Sequence, residues 1–147
     1  WLSDRIQSRK IPLLWGAAVS FGAILALIYV PGLPRWLVFG LLAVNGFAGG
    51  SAVTCYAAGR ENTRAAVSGT TMGLINAMSM GTTAICQPLI GWLLDLGWDG
   101  RAEAGARIYS VAAYQAAFLT LVVCALVAVA AAAAMRDTRC RPLVEVR

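Results

Sequence analysis

Histidine is missing from this chain. Its absence removes imidazole bases, His-ligated metals and His proton relays from the chemistry the chain can do by itself. Charge is scarce too: 13% of residues are charged, against 59% hydrophobic. A soluble domain of this length needs about 25% charge to cover its surface. The apolar runs lack the short alternating segments of a membrane β-barrel and are too long for buried strands or core helices. Four cysteines, Cys55, Cys86, Cys124 and Cys140, stand far apart with no CxxC pair. Neither a disulfide framework nor a metal site is expected from them. Three lie in apolar segments, where a thiol acts as a small hydrophobe. No Ser–Lys pair and no carboxylate falls inside an apolar segment, so no nucleophile has a base beside it. Neither an enzyme nor a cofactor is expected.

What is present is long apolar runs, and they predict an all-α, polytopic membrane protein with four transmembrane helices. Residues 1–10 (WLSDRIQSRK) form a charged, amphipathic connector. Apolar segments follow at about 11–30, 36–59, 65–94 and 108–135, and 136–147 is an Arg-rich tail. Pro12 suits a first helical turn, and Pro31-Gly32-Leu33-Pro34 a tight turn. Asn62 or Thr63 is positioned to cap the third helix. Trp1 to Lys10 has mid-loop character, without an initiator Met or a signal peptide, so a fragment of a longer protein is expected.

The net charge of +5 does not point to nucleic acid, because the basic residues sit at the ends of apolar segments. There they set topology. One side receives Arg5, Arg9, Lys10, Arg60, Arg64, Arg136, Arg139, Arg141 and Arg147; the other receives Arg35, Arg101 and Arg107. The positive-inside rule puts both chain ends in the cytoplasm. Tyr29, Trp36, Trp92, Trp98 and Tyr109 then form an aromatic belt at the outer interface. The Ala- and Arg-rich composition favours a bacterial inner membrane.

The four segments differ in kind. The first and fourth are plain, which predicts lipid-facing helices. The second and third carry nearly all the intramembrane Asn, Gln and Thr. In the second, Gly46, Gly50, Thr54 and Ala58 recur every four residues, a ridge expected to pack on another helix. In the third, Asn76, Thr83 and Gln87 fall within roughly 40° of one another at 100° per residue, flanked by Met72 and Met80. Gly69, Gly73, Ala77 and Gly81 make a second close-packing ridge beside them, with Leu74, Met78, Ile85, Leu89 and Leu93 behind. Two readings stand for Asn76, Thr83 and Gln87. They bond neighbouring helices, or they contact solute in a cavity with Met80, Asn45 and Thr54 as neighbours. Pro88 withdraws a donor from the carbonyl of Ala84, giving either an inert kink or a gate near the outer end.

Leu2-Ser3-Asp4-Arg5 followed by Arg9-Lys10 resembles the G-x-L-a-D-R-x-G-R-(R/K) loop signature of the major facilitator superfamily. That loop lies between the second and third helices of each six-helix half. The signature's first Gly would precede Trp1, its second falls on Gln7, and an expected Arg is Ser8. The stretch from Glu61 through QPLIGWLLD, then the Tyr109 region, also resembles bacterial members. The resemblance implies helices nine to twelve of a twelve-helix transporter that moves a small solute by alternating access. The remaining helices of that transporter, the lipid bilayer and the solute would be its partners. It implies that the eleventh helix, the third here, borders the interface between halves. It also implies that Asp4 latches one conformation at a helix N-terminus of the opposite half, with Arg5 and Arg9 as charge partners. Any coupling carboxylate would then lie outside this chain, and the absence of charge here hints at a neutral or zwitterionic solute. The competing expectation is a self-contained four-helix membrane scaffold or assembly protein without transport activity.

Overall fold

The computed structural model describes residues 2–103 and 105–137. Trp1 and the tail from residue 138, with Arg139, Cys140, Arg141 and Arg147, lie outside the described residues. The chain is helical nearly throughout. A short helix, α1 (Leu2–Ile6), precedes α2 (Lys10–Tyr29), α3 (Arg35–Gly49), α4 (Val53–Glu61), α5 (Ser68–Leu96) and α6 (Val111–Ala134). Two short strands, β1 (Ala102–Glu103) and β2 (Ala106–Arg107), form an antiparallel hairpin in the loop before α6, with Ala102 opposite Arg107. The sequence predicts only a polar loop there.

Three helical stretches are long and apolar enough to cross a membrane: Lys10–Tyr29, Arg35–Glu61 and Val111–Ala134. The fourth expected span, α5, has the length at 29 residues but does not join that set. Its glycines, hydroxyls and amides lower its apolar character. Helix ends follow local chemistry. The last helix begins at Val111, three residues later than expected, because Ser110 caps it: its Oγ accepts from the Ala113 amide at 3.1 Å. Asn62 and Thr63 do not cap α5. Asn62 Nδ2 donates to the Ala58 carbonyl at 2.7 Å and Thr63 Oγ1 to that of Gly59 at 2.9 Å. They therefore close the C-terminus of α4, whose last carbonyls lack helical donors.

The Arg35–Glu61 stretch tightens into a 3₁₀ turn at Gly50–Ala52, between α3 and α4. At this turn Ser51 presses on α2: a Cβ on Gly16 would collide with its Oγ, and would lie 2.6 Å from its Cβ and 2.8 Å from the Ala48 carbonyl. Gly59 similarly admits Ile75 of α5, at 2.5 Å from a would-be Cβ, and Gly97 admits Ala113, at 3.0 Å. The close approaches thus fall at Gly16, Gly59 and Gly97. A Cβ at Gly46, Gly50, Gly69, Gly73 or Gly81 would meet nothing within 4 Å. The ridge glycines make no close approach to another helix of this chain; of the first ridge only Ala58 is buried and Thr54 half-buried.

The plain helices also carry most of the contacts within the chain. Helix α2 packs against both α3 and α6, and α5 packs against α6 and α4. The buried apolar residues are alanines: Ala23, Ala48, Ala58, Ala113, Ala117 and Ala132. Four of them, Ala23, Ala113, Ala117 and Ala132, lie on α2 and α6. Side chains no larger than a methyl let those two helix backbones approach. Gln115 ties the pair at one end, donating to the Ile28 carbonyl at 3.1 Å while its own carbonyl accepts from Tyr29 at 3.3 Å. Helix α5 has no buried residue.

Candidate functional site

The most connected polar site joins the ends of three helices. Helix α1 stops in a Schellman turn: the Ser8 amide donates to the Ser3 carbonyl at 3.2 Å and the Gln7 amide to that of Asp4 at 3.3 Å. Gln7 consequently sits at φ 54°, in the left-handed region that glycine favours. Its Nε2 also donates to the Asp4 carbonyl, at 2.8 Å. The turn aims Ser8 and Arg9 inward. Ser8 is buried; its Oγ accepts from the Ile11 amide at 3.1 Å, capping α2, and donates to Asp137 Oδ2. The Arg9 amide donates to Asp137 Oδ1 at 3.0 Å.

The Arg9 guanidinium then spans the junction. Nη1 donates to Asp4 Oδ1 at 2.6 Å and to Ser3 Oγ at 2.9 Å. Nε and Nη2 both donate to Glu61 Oε1, at 2.9 and 2.7 Å. The side chains of Arg9 and Glu61 are each 13% exposed, whereas that of Asp4 is 64% exposed. The Glu61 contact is therefore the desolvated half of the site, and the Asp4 contact is the screened half. Of the four sequence-derived loop residues, Arg9 and Asp4 pair, Arg5 is exposed on α1, and Lys10 is half-buried at the start of α2. Glu61 and Asp137 were not singled out as members of this site. The spacing of 52 residues from Arg9 to Glu61 carries no local signal.

The polar residues of the long helices do not converge in the same way. Asn76, Met80, Thr83 and Gln87 are all exposed on α5, and Asn45 and Thr54 are half-buried on α3 and α4. Asn76 Oδ1 accepts from Tyr56 at 3.4 Å, so Tyr56 reaches it across the α4–α5 contact. Nothing local in the sequence marks Tyr56; it stands one turn before Gly59, where Ile75 of α5 comes close. The hydroxyls are satisfied by their own helices. Thr83 donates to the Ser79 carbonyl at 3.3 Å, Thr82 to that of Met78 at 2.8 Å, and Thr54 to that of Ser51 at 2.5 Å. Pro88 lies inside α5, which continues past it to Leu96.

A second polar cluster closes the opposite end. Asp95 Oδ1 accepts from Tyr109 at 2.6 Å and from Arg107 Nη1 at 2.7 Å. The Arg107 guanidinium stacks on Trp98, 4.6 Å from the ring centre, and Trp98 Nε1 donates to the Arg101 carbonyl at 2.8 Å. Asp95 is the first residue beyond the apolar part of α5. The Tyr109 hydroxyl, then Arg107, hold its carboxyl below the ordinary value. The bond to Asp95 in turn raises Arg107. This clasp joins the end of α5 to the hairpin and the approach to α6.

Compared with protein-family models, curated proteins and solved structures, the chain matches none. The functional reading therefore rests on the geometry above and on the loop signature.

Proposed function

We propose that this chain supplies the last four helices of a major-facilitator-type secondary transporter in a bacterial inner membrane. On this reading α5 is a fourth span and both chain ends are cytoplasmic. The transporter moves a small solute by alternating access, coupled to an ion or proton gradient through residues outside these. The observation that carries the reading is the turn at Gln7. The family signature has Gly at this position, and the backbone here adopts the left-handed conformation that explains a glycine. Two residues later Arg9 pairs with Asp4, at 2.6 Å. A turn of this shape, followed by a cation folded back on the signature carboxylate, supports reading the loop as a degenerate copy.

The outward face of α5 supports the same reading. Asn76, Thr83 and Gln87 are exposed on a helix with no buried residue. Amide groups are costly against hydrocarbon, so that face calls for a partner or a wet cavity.

Reporter fusions test the architecture. Alkaline phosphatase fused after Gly32 or Gly100 should be active, and fused after Asn62 or Asp137 inactive; the reverse or a non-alternating pattern overturns it. Transport is tested in the longer polypeptide that this reading requires. Asn76→Ala or Gln87→Ala should there change solute affinity or rate, whereas liposomes holding only these 147 residues should take up no solute. Unchanged kinetics would return both residues to a packing role.

A further inference from the structure

At the junction of α1, α4 and α6 every described carboxylate is engaged. Asp4 and Glu61 accept from Arg9, and Asp137 accepts from Ser8 and from the Arg9 amide. Three carboxylates against the one Arg9 guanidinium leave this centre net negative, and four cations stand beside its members along the chain. Lys10 adjoins Arg9, Arg60 adjoins Glu61, Arg64 closes the turn that follows, and Arg136 adjoins Asp137. Among the described residues none of these four forms an ion pair. Arg60, Arg64 and Arg136 are exposed and Lys10 is half-buried. The bonds from Arg9 to Glu61 and Asp137 thus bring to one end of the bundle cations from three separate parts of the chain.

The same end exposes apolar side chains. Ile6, Ile11 and Val67 are 44%, 46% and 47% exposed, each within four residues of one of the four cations. Lys10 opens an apolar helix, and Arg136 lies two residues past the end of another. A ligand that suits this surface has both a phosphate and hydrocarbon. Free phosphate satisfies only the cations, and a neutral lipid satisfies only the apolar flanks.

We infer that Lys10, Arg60, Arg64 and Arg136 form a docking surface for the headgroups of anionic phospholipids. The inference rests on the membrane part of the proposed function and is independent of transport. The Arg9 network has a defined part in it: it keeps the three carboxylates bonded within the junction, where Arg9 and the four cations outnumber them five to three. Basic residues near an anionic surface each contribute about 1 kcal/mol, roughly fivefold in binding.

The test uses the full 147-residue chain in neutral detergent, with bound lipid counted by native mass spectrometry. Dioleoylphosphatidylglycerol should be retained in preference to dioleoylphosphatidylcholine, and the preference should shrink as salt rises. Inorganic phosphate at equal concentration should not displace the lipid. Lys10→Gln, Arg60→Gln, Arg64→Gln and Arg136→Gln should each lower phosphatidylglycerol retention roughly fivefold, and the four together should abolish the preference. Arg35→Gln with Arg101→Gln, at the opposite end, should leave it intact. Equal retention of the two lipids by the parent chain, displacement by phosphate, or a preference that survives the fourfold variant overturns the inference. Should the fourfold variant lose its helicity by circular dichroism, the single variants and the parent's salt dependence decide. Extraction of the chain from native membranes by alkaline carbonate would count against the membrane reading itself. Insertion without lipid preference would count against this inference alone.

Discussion

Arg9 directs both Nε and Nη2 to a single oxygen of Glu61, at 2.9 and 2.7 Å. The two residues fasten the start of α2 to the end of α4. Removing one partner leaves the other charge largely out of water without the Arg9–Glu61 bonds, which costs more than the pair itself contributes. Arg9→Ala and Glu61→Ala should each destabilise the chain by about 2 kcal/mol, read as a lower thermal midpoint in detergent. Arg9→Lys should recover only part, because an ammonium lacks the planar fork that serves Glu61 and Asp4 together. Equal midpoints for the parent and Arg9→Ala would refute this account.

The left-handed turn makes the opposite forecast. A non-glycine residue in this region costs about 1–2 kcal/mol. Gln7→Gly should stabilise the chain by about 1 kcal/mol or less, since the bond from Gln7 Nε2 to the Asp4 carbonyl is lost at the same time. Gln7→Val, with a branched Cβ, should destabilise it. Thermal unfolding of the two variants checks the order.

The glycines separate into two groups that alanine scanning distinguishes. Gly16→Ala meets Ser51 and the Ala48 backbone carbonyl, and overpacking of this kind costs about 1–3 kcal/mol. Gly59→Ala meets the flexible end of Ile75 and should cost less. Gly46→Ala, Gly73→Ala and Gly81→Ala meet nothing. These should be neutral, or stabilising by about 0.5–1 kcal/mol through helix propensity. A penalty at Gly73 or Gly81 as large as that at Gly16 would show that a further helix packs there.

The Asp95 clasp should open in acid. Its carboxyl titrates below the ordinary value because the Tyr109 hydroxyl and Arg107 favour the charged form. A group whose folded pKa is depressed contributes stability above its unfolded pKa, and loses it as pH falls through the folded one. The clasp should thus hold at neutral pH and release below the usual Asp value of about 4. Trp98 fluorescence should report the release as Arg107 leaves the indole, and Asp95→Asn should remove the transition. A parent chain whose Trp98 signal is flat from pH 7 to pH 3 would contradict it.

The packing of α5 on α6 has a thiol reporter. Cys86 Sγ and Cys124 Sγ lie 3.7 Å apart across the two helices. Copper–phenanthroline should oxidise the pair to an intramolecular disulfide, seen as a loss of two free thiols. Cys86→Ser or Cys124→Ser should prevent this, and Cys55→Ser should not.

Helical class and the approximate limits of the long helices were legible in the sequence because they depend on local composition and on the length of apolar runs. Lys10–Tyr29 and Val111–Ala134 fall close to the limits that Pro12, the Pro31–Pro34 turn and the flanking charges imply. The third segment was legible as a helix; its glycines and amides also hold α5 apart from the three most apolar helices. At the candidate site Asp4 and Arg9 were readable from a short signature. Glu61, Asp137 and Tyr56 were not, since their partners are remote in sequence.

By itself the sequence determined what the backbone would do locally: long helices, a turn at each end, and basic residues beside the apolar runs. Only the tertiary structure decided which faces meet. A small residue permits close approach without requiring it, so the periodic ridges of Gly46, Gly73 and Gly81 stayed open while the isolated Gly16 and Gly59 took the contacts. Charge pairing followed the same logic. Arg9 had several carboxylates to choose from, and the crossing of α2 with α4 and α6 brought Glu61 and Asp137 within reach.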